Sequence, residues 1–114
     1  GLSYEEIVAA AYTLEDGVAM EEAQRLYGTI INIPTPYSEE YKNITVDMQI
    51  GELVDQPIQC YRLSGEGADK LAVGDKINCS GRVRQTRYER DGQTVYSVDL
   101  VVSKIERLER EPAS

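Results

Sequence analysis

Arg82, Arg84, Arg87 and Arg90 recur at short intervals in one stretch of the chain, with Tyr88 among them, and no other part carries as much positive charge. Guanidinium groups grip phosphates, and both they and phenol rings stack on bases. Tyrosines interleaved with arginines are the residue types that sequence-tolerant binding of a single-stranded nucleic acid requires. The rest of the 114-residue chain pulls the other way, since the formal net charge is −8. That total weighs against a nucleic-acid surface spread over the whole molecule. The charge is uneven, however: residues 1–75 hold fourteen acids and four bases, residues 76–114 six acids and eight bases. Such asymmetry says more about partners than the total does.

Other chemistries find little support. With no histidine and two cysteines, the chain has neither a tetrahedral zinc set nor a histidine-based catalytic relay. Cys60 and Cys79 each fall on an apolar strand face and read as buried free thiols, the other reading being a disulfide or reactive pair. The acidic pairs Glu5/Glu6, Glu15/Asp16 and Glu21/Glu22 sit on a solvated helix face and its exit, where acid–base work is not expected. Nucleophile-elbow, phosphate-loop and metal-ligand spacings are missing. The expectation is a binding module, not an enzyme, with no cofactor and no metal. No apolar run reaches membrane-spanning length.

The arginines need elements to hold them. Ile77, Cys79, Gly81 and Val83 alternate with Lys76, Asn78, Ser80, Arg82 and Arg84, the period of a half-buried strand. Asp91-Gly92 supplies a tight turn, and Tyr96, Val98, Leu100 and Val102 alternate with Ser97, Asp99, Val101 and Ser103 on the return. A long hairpin results. Upstream, Ser3 with Glu6 three residues on predicts a capped helix, with Tyr4, Ile7, Val8, Ala11 and Leu14 on its packed face and Gly17 as its stop. Residues 20–25 are ambiguous between helix and strand. Residues 25–33 read as a first strand sharply coiled at Gly28 and ended by Pro34 and Pro36, and residues 37–43 as a polar loop. Residues 43–51 alternate as a second strand, with Ile44, Val46, Met48 and Ile50 inward and Thr45, Asp47 and Gln49 outward. Residues 57–63 form a third, with Ile58 and Cys60 inward, and the glycine-rich residues 64–70 allow at most a single helical turn.

Five strands grouped three and two, with a coiled first strand, describe a mainly β protein: a five-stranded Greek-key OB-fold barrel with an N-terminal helix packed on it. A small sandwich is the other architecture. Residues 1–18 are then the helix, 25–108 the barrel and 109–114 a frayed tail, in one domain.

The segment GRVRQTRYERDGQTVYSVDLVVSKIERLE resembles the fourth and fifth strands of bacterial single-stranded DNA-binding proteins, and PIQCYRLSGEGADKLAVGDKI is similar to their third strand and the link after it. The resemblance implies that Tyr61 stands where that family places an aromatic that stacks on a base. SYEEIVAAAYTLEDG, TPYSEEYKNITV and PIQCYRLSGEGADKLAVGD together also resemble small OB-fold modules within larger, often secreted or surface, bacterial proteins. That second resemblance implies a protein, peptide or glycan partner and an extracellular or surface location; the first implies a cytoplasmic one.

In an OB-fold the ligand surface is the exposed face of strands two and three with the loops beside it. On this chain it collects Tyr37, Tyr41, Lys42, Thr45, Gln59, Tyr61, Arg82, Arg84, Arg87 and Tyr88. Glu39 and Glu40 beside Tyr37 and Tyr41 would repel phosphate. The plain alternative for Arg82 and Arg84 is a solubilised strand face, pairing with Asp99 across the hairpin. The hairpin arm and strand edges also offer surfaces for self-association into a homo-oligomer.

Overall fold

The computed structural model describes residues 2–109; within 95–109 it describes the backbone and its pairing, with Ile105 as the one side chain. A helix, α1 (Tyr4–Tyr12), opens the chain. Its capping box forms as the spacing predicts: the Glu6 N–H donates to Ser3 Oγ (3.1 Å) and the Ser3 N–H to Glu6 Oε1 (2.9 Å). The Ser3 backbone donor holds the Glu6 carboxyl below its usual pKa. The helix stops at Thr13, short of Gly17; Gly17 (φ 78°) instead turns the chain into the first strand. Ile7, Val8 and Ala11 are buried, whereas Tyr4 is exposed, so the packed face is narrower than the pattern suggested.

The strands are β1 (Ala19–Ser38), β2 (Asn43–Gln49), β3 (Ile58–Leu63), β4 (Lys76–Arg90) and β5 (Gln93–Glu109), with a single 3-10 turn at Ala68–Lys70 between β3 and β4. They close a barrel in the order β1-β2-β3-β5-β4. Neighbours are antiparallel except β3 and β5, which run parallel with Gln59 opposite Asp99. This is the Greek-key connectivity of the OB-fold.

β1 is much longer than its alternation predicts. The ambiguous residues 20–25 join it as strand, and it continues through Pro34 and Pro36. Both prolines are tolerated because β1 pairs with β4 only as far as Thr29, which leaves its far edge open, and because bulges already interrupt its pairing with β2 on either side of Thr35. The expected loop 37–43 shrinks accordingly to a tight turn, with Lys42 in the left-handed region (φ 57°). Gly28 lies where β1 passes from β4 to β2. A Cβ there would collide with Met48 and come within 2.6 Å of Gln49 O, so the coil requires glycine.

Leu26, Ile30, Val46, Met48, Ile58, Ile77 and Val83 fill the barrel and are fully buried. α1 plugs one end, and Tyr12 Oη donates to Pro57 O (2.7 Å) beside it. Ala68 and Leu71 are buried near the turn that lies against β2. From Arg82 opposite Val101, β4 and β5 pair without a shift out to Arg90 opposite Gln93, and Asp91 (φ 52°) with Gly92 (φ 77°) makes the expected two-residue turn. The inward and outward sets expected for residues 96–103, and the tail 110–114, lie outside the described side chains and residues.

Candidate nucleic-acid interface

The arginine arm turns out to fasten the chain to itself. Arg87 Nη2 donates to Leu14 O (2.9 Å), its Nε to Gln85 Oε1 (2.7 Å), and its backbone N–H to Asp16 Oδ1 (2.8 Å). Gln85 is wholly buried, and its Nε2 donates at the end of α1 to Tyr12 O (2.8 Å) and to Ala11 O (3.2 Å), which also accepts from the Leu14 N–H. Arg82 Nε donates to Met20 O (3.1 Å), across the bulge where β1 rejoins β4. Arg84 is half-buried, opposite Ala19 on one side and Asp99 on the other. Arg84 stands opposite Asp99 and Arg82 opposite Val101 in backbone register, and the expected pairing with Asp99 falls on a side chain outside the described set. Arg87 therefore holds the segment between α1 and β1 against β4, and Arg82 holds the start of β1 there, so both residues of the expected ligand set also bond within the chain. Gln85 is not among the expected site residues. The signal was present, since it continues the inward series Ile77, Cys79, Gly81, Val83.

At the other side of the barrel a bulge builds a different site. Ile44 pairs with Leu63 and Val46 with Cys60, so Tyr61 and Arg62 share the place opposite Thr45. Arg62 takes the left-handed conformation (φ 52°), which a residue with a Cβ adopts at a cost of about 1–2 kcal/mol. Two consequences follow. Thr45, expected on the ligand face, is buried with its hydroxyl accepting from the Arg62 N–H (3.2 Å), because the extra residue turns it beneath the backbone of β3. Arg62, which was not among the expected site residues, swings out to solvent and lays its guanidinium over the Tyr61 ring, 5.0 Å from the centroid. Tyr61 is half-buried there. A surface cleft of about 230 Å3, lined by Tyr41, Asn43 and Arg62, opens beside this pair.

Tyr41 is 71% exposed at the mouth of the cleft. Its backbone N–H donates to Ser38 Oγ (3.1 Å), and the Lys42 N–H to Ser38 O (2.7 Å), so the turn presents both side chains outward. Tyr37, expected beside them, instead packs half-buried against the core. The centre of the β2–β3 face is acidic: Asp47 accepts from Gln59 Nε2 (3.1 Å) and Asn32 Nδ2 (3.2 Å). Gln59 is thereby engaged with a carboxylate that repels phosphate.

Tyr88, 45% exposed near the hairpin tip, carries Arg90 over its ring at 5.8 Å. It pairs with Val95, whereas the parallel register of β3 and β5 brings Tyr61 level with residue 101. Six residues of strand rise separate the two aromatic–arginine pairs by about 20 Å along the hairpin. The expected continuous patch is two small ones.

Among solved structures, the chain is similar to a small single-stranded DNA-binding protein from Streptomyces coelicolor, at 14% identity and a TM-score of 0.51, over 81% of this chain and 96% of that one. At that identity the likeness shows the OB-fold alone. No protein-family model matches the chain, and no curated protein does.

Proposed function

We propose that the protein is a non-enzymatic OB-fold module that binds single-stranded nucleic acid, with Tyr41, Asn43, Tyr61 and Arg62 as its principal contact and Tyr88 with Arg90 as a second. The observation that carries the reading is the exposed Arg62 guanidinium held over Tyr61 at the edge of a cleft, in a backbone conformation that costs stability. Rings and guanidiniums at such a place give stacking platforms of about 1–3 kcal/mol per base, without demanding a particular sequence. Strain kept at an exposed position is a pointer to function. The fold of the Streptomyces coelicolor protein, whose name records single-stranded DNA binding, supports the same class of ligand.

Lys42, Arg62 and Arg90 supply the cations at the two places, while Asp47, Glu39 and Glu40 oppose phosphate between and beside them. Binding should accordingly be modest and only mildly salt-dependent. With about three phosphates contacted, log K falls with log salt at a slope of about −2. The test is fluorescence anisotropy with a labelled oligo-dT of about 30 nucleotides, titrated at low and moderate salt. Saturable binding that weakens at that slope and is reduced in Tyr41→Ala supports the proposal; a flat titration at low salt removes it.

A second reading has its own observation. Asn32, Asp47 and Gln59 form a hydrogen-bonded amide–carboxylate row at the centre of the β2–β3 face. Such groups suit the hydroxyls of a glycan or the backbone of a peptide, as in an accessory module of a larger or surface-exposed protein. Loss of glycan- or peptide-array binding in Asp47→Asn, together with a flat oligo-dT titration, would favour it.

A further inference from the structure

Cys60 on β3 and Cys79 on β4 are both fully buried, and their Sγ atoms lie 3.5 Å apart. Their strands are not neighbours, because β5 runs between them. The two thiols therefore meet across the barrel interior, and a bond between them would tie opposite walls together. A disulfide needs its sulfurs about 2.05 Å apart, so an approach of about 1.5 Å would form one. Both thiols are free in the structure.

We infer that Cys60 and Cys79 form an internal disulfide that staples β3 to β4, made by exchange with a low-molecular-weight disulfide such as oxidised glutathione. One cysteine thiolate attacks a sulfur of the oxidant, forming a mixed disulfide and releasing one reduced thiol. The second cysteine sulfur then displaces the remaining half. The two protein thiols give up two electrons and two protons, and the oxidant leaves as two thiol molecules. In the closed barrel this exchange is slow. The contact with Cys79, followed by burial, pushes the Cys60 thiol well above its usual pKa, and only the thiolate attacks. The staple therefore forms while the barrel is open, during folding or a transient unfolding. Its cysteines stand 19 positions apart and enclose the glycine-rich connection with the Ala68–Lys70 turn. Closing that loop removes chain entropy from the unfolded state. The inference is independent of the ligand.

The test starts from unfolded, reduced protein, refolded in a mixture of reduced and oxidised glutathione, alkylated in denaturant and weighed by mass spectrometry. The expected product is a monomer lighter by two hydrogens than the reduced protein, which takes up no alkyl group. It melts on the order of 10 °C above the dithiothreitol-treated form. Cys79→Ala loses that redox dependence, and the comparison of oxidised with reduced wild-type protein stands even where this variant folds poorly. Two alkylated thiols after refolding, a disulfide that joins only separate chains, or equal melting temperatures of the two forms would overturn the inference.

Discussion

Replacing Arg62 by glycine and by alanine separates its backbone from its side chain. Its φ of 52° costs any residue with a Cβ about 1–2 kcal/mol. Glycine removes that strain but gains about 0.4–1 kcal/mol of conformational entropy in the unfolded chain, so Arg62→Gly should be about 0.5–1 kcal/mol more stable than Arg62→Ala. Both lose the stacking over Tyr61, about 0.5–1 kcal/mol at an exposed site, which places the glycine variant within about 1 kcal/mol of the parent. For a chain of this size the two variants should melt roughly 2–4 °C apart. Their affinity for oligo-dT should fall together, by about 5- to 150-fold, because both lack the same guanidinium. Thermal denaturation and anisotropy on the two proteins check this. An alanine variant as stable as the glycine variant would refute the strained bulge. A glycine variant that keeps the parent's affinity would refute the platform.

The helix clamp makes a second prediction. Gln85→Leu keeps the volume but leaves Tyr12 O and Arg87 Nε without this partner, which should cost about 3 kcal/mol and lower the melting temperature by roughly 10 °C, read by calorimetry. Gly28→Ala forces a methyl against Met48 and Gln49 O at the coil of β1, and chemical denaturation should show a loss of about 3 kcal/mol with an unchanged m-value. Tyr12 provides a pH dependence. Burial, with Asp47 nearby, raises its phenol from 10.0 to about 12, so the unfolded chain releases this proton first. The folded state thus loses stability between pH 10 and pH 12, having held it fully below pH 10. Tyr12→Phe should flatten that part of the stability–pH curve, at a cost of about 1 kcal/mol near neutrality for the lost bond to Pro57 O.

Local chemistry was enough to read much of this protein from its residues. The capping box at Ser3 and Glu6, the Asp91-Gly92 turn, the alternation of β4 and the coil at Gly28 each follow from one residue type meeting one backbone requirement. From their order the closed OB barrel could be assembled, because few connectivities accommodate three strands followed by a long hairpin. What the arginines do was decided by tertiary structure. Arg82 and Arg87 look available in the sequence because the carbonyls they bind, on Met20 and Leu14, are more than sixty positions away. The prolines of β1 look like an ending because an open strand edge is a property of the assembled sheet. Thr45 and Arg62 exchange places, one buried and one exposed, because a single extra residue shifts the register, and side-chain identity carries no mark of that shift. Periodicity assigns a face only while pairing stays regular; where the ladder slips, only the three-dimensional partner determines which side chain meets solvent.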